Sequence, residues 1–367
     1  MDDELFMNQS MLTCLGNKRK LIKNIQEIIH IDVLPHINKE KINIFDGFTG
    51  SCIVSKGLVK YANNLYSNDL ELYSYIMAKC FLEEPNEEDK KKVYHHIDQM
   101  NKLAINGPFH KSFISQLYSP ENTNHIKEGE RCIYTRENAL IIDTLRDYIH
   151  KNVEESLFHY CITPLLIKAS IHTNTCGVFK GFYKNKEGVG QWGGERKNDL
   201  KRILKPIKLE YPVWSKNKLT CHVHNKDINE LIKDLPNDLD LIYLDPPYNE
   251  HPYSSNYFML NLIIKNKQPE HSSKVTGIPK DWNRSNYNYE KKAIQSMKDL
   301  INESIKKTKY ILLSYNNEGI IPNDEWDKMF DGLTIKKYEI KYNTFKGSRN
   351  LKERSDKVLE IMYLISK

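Results

Sequence analysis

No stretch of this 367-residue chain approaches the roughly 18 consecutive apolar residues that a membrane-spanning helix needs. Its first ten residues, MDDELFMNQS, begin acidic and hold no apolar core of the secretory kind. A cytoplasmic protein without membrane contact is the expectation. CxxC pairs are missing. The seven cysteines (Cys14, Cys52, Cys80, Cys132, Cys161, Cys176 and Cys221) are scattered and odd in number, which argues against a disulfide framework and against a structural metal site of the zinc type. No P-loop is present, because no GK[ST] follows a glycine-bearing turn, and no complete GxGxxG fingerprint occurs. Internal repeats and low-complexity tracts are absent as well.

What is present is ordinary globular material, 40% hydrophobic and 28% charged, in a length that suits two modules or one large α/β domain. The net charge of +6 is modest, but it is unevenly spread. Between Lys180 and Lys208 nine basic residues face three acids, and between Ile335 and Arg354 seven face two. The remainder is net negative and includes EEPNEED, Glu83 to Asp89. Clustered positive charge suits a polyanion, because phosphate contacts with counterion release supply most sequence-independent DNA affinity.

The periodicity alternates short apolar runs with helical stretches, the pattern of an α/β fold. RKLIKNIQEIIH places Leu21, Ile22, Ile25, Ile28 and Ile29 at helical spacing. INIF, from Ile42, predicts a short buried strand, and a strand ending near Asp69 follows. Tyr73, Ile76, Met77, Cys80 and Phe81 share one face of the next helix. From about Pro85 to Pro212 the alternation breaks down into a polar segment with turn signals such as NGP and GQWGGE. Residues 85–212 read as an inserted module between two parts, 1–84 and 213–367, of one catalytic domain. Regular structure returns with LTCHVH, LDLIYL and, after a helix bearing Ile294, Met297, Leu300, Ile301 and Ile305, YILLSY. IKKYEIKYN and VLEIMYLIS flank the basic turn FKGSRNLKERSD and predict a terminal antiparallel hairpin.

The strongest chemical signal is LDLIYLDPPY. A buried strand delivers Asp245, Pro246, Pro247 and Tyr248 to the carboxyl edge of a sheet, where ligands of open α/β folds bind. The prolines fix φ and so aim the Pro246 carbonyl. Asp245 and that carbonyl can together accept both hydrogens of an exocyclic amine, while Tyr248 stacks on a planar base. Such an amine is a poor nucleophile because its lone pair is delocalised into the ring. Two acceptors favour a pyramidal nitrogen that can attack a methyl group in line, with no covalent enzyme intermediate. A second signal, IFDGFTGSC, is a strand, a glycine-bearing turn and a helix start, in which Gly47 and Gly50 let the backbone approach a ligand closely and Asp46 is a candidate cofactor contact. Asp69, closing the next strand, stands where an acid commonly binds ribose hydroxyls. A third, LGNKRKL, opens the first helix and carries Lys18.

The order LGNKRKL, DGFTGSC, a long insert and then DPPY resembles the D12, or alpha, group of DNA adenine methyltransferases. Further echoes are NTCGVFKGFYK, NEHPYSSNYF, LLSYNNEGII and KVLEIMYLISK. The resemblance implies a Rossmann-like S-adenosylmethionine-dependent sheet with an inserted target-recognition module, and adenine N6 methylation of duplex DNA by base flipping. It implies that Lys18 and the Phe48–Gly50 loop contact the methionine part of the cofactor, Asp69 its ribose and Asp227 its adenine. Asp245, Pro246 and Tyr248 would handle the target base, with Tyr253, Asn256 and Tyr257 lining the pocket or touching the displaced strand. Lys180, Lys184, Arg196 and Lys197, and Lys346 and Arg349 at the basic tip, would contact DNA. Two positions depart from the family pattern: Cys14 replaces a common aromatic, and Cys52 replaces the second glycine of FxGxG. An altered grip on the cofactor is the expectation there. A separately acting restriction endonuclease is the expected counterpart unless the methylase is solitary. N4-cytosine methylation and a catalytically silent DNA-binding protein are the alternatives; the Asp before the prolines favours adenine.

Overall fold

The strands are β1 (Ile42–Asp46), β2 (Ala62–Asn68), β3 (Thr220–His224), β4 (Leu239–Leu244), β5 (Thr308–Asn316), β6 (Thr334–Asn343) and β7 (Lys357–Ser366) in a computed structural model that describes residues 2–12, 14–343 and 357–367. They form one seven-stranded sheet in the order β3-β2-β1-β4-β5-β7-β6. β1 to β5 pair in parallel, and β7 is antiparallel to both β5 and β6. β4 and β5 are buried along nearly their whole length because helices cover both faces. β6, at the edge, has no buried residue among those described along it and carries Lys336, Lys337 and Lys341, a charged edge that discourages pairing with other chains.

The chain runs outward from β1 to β2 and β3, then returns to the other side of β1 as β4. Asp46 at the end of β1 stands opposite Tyr243 near the end of β4. The loops leaving those two strands therefore diverge, and a crevice opens between them at the carboxyl edge. The predicted terminal hairpin is present as the β6–β7 pair, but the second strand does not lie outside the first. β7 inserts between β5 and β6, so Glu360 to Ile365 are buried on a segment that the sequence suggested only as a terminal ribbon.

Residues 85–212 contain more regular structure than their composition suggested. Helices cover Glu87–Asn106, Phe113–Leu117, Arg136–Asn152, Phe158–Ile171 and Leu200–Leu204. Val93, Ile97, Met100 and Ala104 form a buried stripe on the first, and Ile141, Ile142, Leu145 and Ile149 on the third. The broad polar faces of these helices hide a 3.6-residue period in any simple count of polar residues. They pack on the helices Leu72–Leu82 and Phe258–Lys265, and their buried side chains join the core on that face of the sheet. Irregular backbone is concentrated in 118–135 and 172–199.

Candidate active site at the switch point of the sheet

The loops after β1, β2, β3 and β4 meet segment 14–18 around a cleft of about 920 Å³, its open mouth included. Asp245 follows β4 directly. The Lys18 Nζ lies 2.7 Å from Asp245 Oδ1 and 3.1 Å from Glu360 Oε1. Lys18 is 3% exposed and Glu360 1%, whereas Asp245 is 18% exposed towards the cleft. Asp245 Oδ2 has no hydrogen-bond donor among the described residues. Burial alone would lower the lysine, but the charges of Asp245 and Glu360 outweigh it and hold Lys18 well above its usual value. Burial also pushes the Asp245 carboxyl above the ordinary carboxylate range, against the pull of Lys18. Lys18, expected at the methionine end of a cofactor, thus has its ammonium between two carboxylates.

Segment 14–18 is clamped onto the loop that follows β4. The Tyr253 hydroxyl donates to Leu15 O at 2.9 Å, and the Tyr257 hydroxyl accepts from Leu15 N at 2.7 Å. Between them Gly16 has φ +75°, and a Cβ there would sit 3.1 Å from the Tyr253 hydroxyl and 3.3 Å from the Tyr248 ring. Glycine meets both demands. Asn17 ties the same segment to the cofactor-type loop, donating to Ser51 Oγ at 2.8 Å. Tyr257 is fully buried and Asn256 nearly so; the Asn256 carbonyl accepts from Phe179 N at 2.8 Å, which joins NTCGVFKGFYK to the catalytic loop.

In DGFTGSC, Gly50 (φ +53°) donates its N–H to Asp69 Oδ2 at 2.7 Å, and Glu71 N donates to Asp69 Oδ1 at 2.8 Å. Cys52, at the family's second glycine, adopts φ +69° with its thiol fully buried. The backbone therefore keeps a glycine-like conformation at a cost of roughly 1–2 kcal/mol. Burial raises both thiols, Cys14 to about 12 and Cys52 well above its usual value, so neither is a thiolate at neutral pH. Asp46 is wholly buried, accepts from Ser55 Oγ at 2.5 Å and is pushed by burial up to about 7; it does not line the cleft. Asp227 does line it, and caps the helix Ile228–Asp234 by accepting from Asn229 N at 2.9 Å.

Several cleft residues escaped the sequence reading. Glu71, 6% exposed, lies two positions past Asp69 and is pushed by burial up to about 7. Ser285, Tyr287 and Asn288 come from a segment that carried no motif. The Tyr287 ring meets Phe48 edge-on at 5.2 Å, and Asn288 Nδ2 donates to Asn249 O at 2.8 Å. That segment is anchored from the 85–212 region, where Arg131 donates to Ser273 and Lys274 carbonyls and Tyr118 to Gly277 O. Its outer surface presents Trp282 with the Arg284 guanidinium 4.2 Å from the ring centre. Glu360 was legible only as a lone acid in an apolar run. Lys184, Arg196 and Lys197 are exposed and Lys180 is partly buried, while Lys346 and Arg349 lie outside the described residues.

Glu71 gives a stability test. A carboxyl raised in the folded state stabilises fully below its unfolded value, near 4.3, and loses that contribution as pH rises through about 7. Glu71→Gln should therefore raise the melting temperature at pH 8 and leave it nearly unchanged at pH 5. Thermal melts at the two pH values check this, and an equal shift at both would contradict the assignment.

A family model described as D12 class N6 adenine-specific DNA methyltransferase matches residues 15–329. The modification methylase StsI of Streptococcus sanguinis is 26% identical over 373 residues, covering 96% of this chain and 51% of that protein. The type II methyltransferase M.FokI of Planomicrobium okeanokoites is 29% identical over 371 residues, covering 96% and 52%. M.NlaIII of Neisseria lactamica, also named a type II methyltransferase, is 27% identical over 363 residues and is covered over 98% of its length. The chain thus spans about half the length of the StsI and FokI proteins. No described helix is long and apolar enough to cross a membrane, and no described cluster of His, Cys, Asp and Glu suits a metal ion. With the family match covering most of the chain, and the clefted DPPY loop lying inside it, this protein belongs to the D12 class of N6 adenine-specific DNA methyltransferases.

Proposed function

We propose that the protein methylates N6 of a specific adenine in duplex DNA, with S-adenosylmethionine as donor. The observation that carries this reading is the Asp245 carboxylate, fixed through Oδ1 and without a donor at Oδ2 among the described residues, lining a switch-point cleft. The donor set suits the cofactor. Asp69 and Glu71 line the cleft as acids two residues apart, matched to a ribose diol, and Asp227 and the Phe48–Tyr287 wall offer a polar and an aromatic face for adenine. A cleft of this size and acidity suits a sulfonium-bearing nucleoside. Bound S-adenosylmethionine supplies an electrophilic methyl group.

In this reading the sheet is a Rossmann-like methyltransferase sheet, residues 1–84 and 213–367 form the catalytic part and 85–212 recognise the target sequence. Asp245 Oδ2 and Pro246 O accept the two amine hydrogens, and Tyr248 stacks on a base drawn out of the duplex. Unstacking costs a few kcal/mol, partly offset by that contact. Lys180, Lys184, Arg196 and Lys197 contribute phosphate contacts. The names of the relatives support a place as the modification half of a restriction pair.

The test is direct. Purified protein is incubated with methyl-labelled S-adenosylmethionine and unmethylated duplex DNA, which is then digested to nucleosides. Label in N6-methyladenosine is expected. Label confined to N4-methylcytosine, or no label under conditions where DNA binds, would overturn the proposal.

A further inference from the structure

Segment 271–289 runs from its anchors in the 85–212 region to the wall of the cleft. A bridge between Ser272 and Pro279 closes its first half into a loop. Its second half is tied to the chain just beyond DPPY, where Ser254 Oγ donates to Asn283 O and Asn249 O accepts from Asn288 Nδ2. Trp282 and Arg284 flank the Asn283 anchor. Arg284 is exposed and Trp282 half-buried. The guanidinium lies 4.2 Å from the indole centre, and its Nη1 donates to the Tyr289 hydroxyl at 2.8 Å. Nε and Nη2 have no acceptor among the described residues. An exposed arginine ordinarily samples many rotamers. Here stacking and one hydrogen bond fix the plane and leave the Nε–Nη2 edge open, the fork that matches two oxygens of a phosphate.

The surroundings carry the same sign. Between residues 274 and 292, Lys274, Lys280, Arg284, Lys291 and Lys292 outnumber Asp281 and Glu290. Lys292 Nζ lies 5.1 Å from the ring centre of the same Tyr289 that holds Arg284. Ser285, the next residue, lines the cleft, and consecutive Cα atoms are only about 3.8 Å apart. We propose that Arg284, held on Trp282, is a phosphate clamp for the target strand, gripping duplex DNA at the mouth of the cleft beside the nucleotide that enters it. The inference rests on the methyl-transfer reading above, which brings a duplex to this edge. Trp282 acts through Arg284, as the surface that fixes the guanidinium. A phosphate bound there releases its counterion and sets the register of the strand without reading its sequence. Because Ser285, Tyr287 and Asn288 line the cleft from the same short stretch, the clamp and the cleft wall keep one spacing.

Duplex binding measured at several salt concentrations tests this. Arg284→Gln should weaken binding roughly tenfold, the loss of one charge-assisted contact. The slope of log affinity against log salt should become shallower by about 0.9, one phosphate fewer. Arg284→Lys should restore the slope and only part of the affinity, because an ammonium supplies the charge without the fork. Trp282→Ala should weaken binding by the parent but add little to Arg284→Gln. The melting temperature and the KM for S-adenosylmethionine should stay near the parent values in Arg284→Gln, since the side chain is exposed. Once the methylated adenine is mapped, single uncharged methylphosphonates are placed along the target strand. At one position flanking that adenine the substitution should weaken binding by the parent and not by Arg284→Gln. An unchanged salt slope in Arg284→Gln, a methylphosphonate penalty that is the same in both proteins at every flanking position, or full additivity with Trp282→Ala would overturn the inference. A parent protein that binds no duplex or transfers no methyl group would instead overturn the functional reading itself.

Discussion

Asp245→Ala should slow methyl transfer by about 10³-fold, the loss expected when one preorganised electrostatic partner of a transition state is removed. The carboxylate follows β4 directly and lines the cleft, and its Oδ2 has no hydrogen-bond donor among the described residues. Without it the amine keeps one acceptor, its nitrogen stays closer to planar, and the developing charge loses the carboxylate that lines the cleft beside the Lys18 ammonium. DNA affinity should change little, because phosphate contacts made elsewhere dominate it. Single-turnover rates and a DNA titration at one fixed salt concentration check the two halves separately. A variant retaining a large part of the parent rate would remove Asp245 from the chemistry. In the parent, the carboxylate must be ionised, and burial holds it above the ordinary carboxylate range. Activity should accordingly fall on acidification at a higher pH than an unperturbed aspartate, near 3.9, would impose.

Lys18→Met should be the most destabilising single change at the site, at about 3–5 kcal/mol, the usual cost of stripping a buried pair of one partner. Methionine fits the space and removes the ammonium that lies within reach of both Asp245 and the buried Glu360. The sign of the pH dependence follows. In the parent, Lys18 is held above its usual value, so its contribution is complete below about pH 10.4 and is lost only in strong alkali. In the variant, Asp245 loses the cation that opposes its upward push by burial, so its carboxyl rises further. The folded variant is then favoured at low pH and destabilised as pH rises. Urea midpoints should differ from the parent far more at pH 8 than at pH 5.5. A cost that does not change with pH would contradict the shared-cation arrangement.

Much of the frame was legible in the sequence for a physical reason: β1, β4 and β5 are buried on both faces over most of their length and so appear as short, mainly apolar runs. DPPY could be placed at a strand end by the same pattern. Lys18 was legible as a residue of interest, yet its partners were not, because Asp245 lies 227 positions away and sequence spacing carries no trace of that pairing. Glu71 was overshadowed by Asp69, although both line the cleft. The helices of 85–212 were obscured by their wide solvent faces, and Tyr287 by lying in a segment without periodicity. At Cys52, where the sequence led to the expectation of an altered cofactor grip, the backbone adopts a left-handed conformation that no spacing or periodicity announces.

The insertion of β7 between β5 and β6 also orders events in time. During synthesis β5 and β6 emerge before the strand that separates them, so β5 must keep its edge open, or exchange a temporary partner, until residues 357–366 arrive. Such non-local pairing is slow, and its exposed edge is prone to association. Glu360 travels on that late strand. The carboxylates around Lys18 are therefore brought together only once β7 has docked, and a chain stopped short of β7 would hold its DPPY loop and its lysine with the second carboxylate missing.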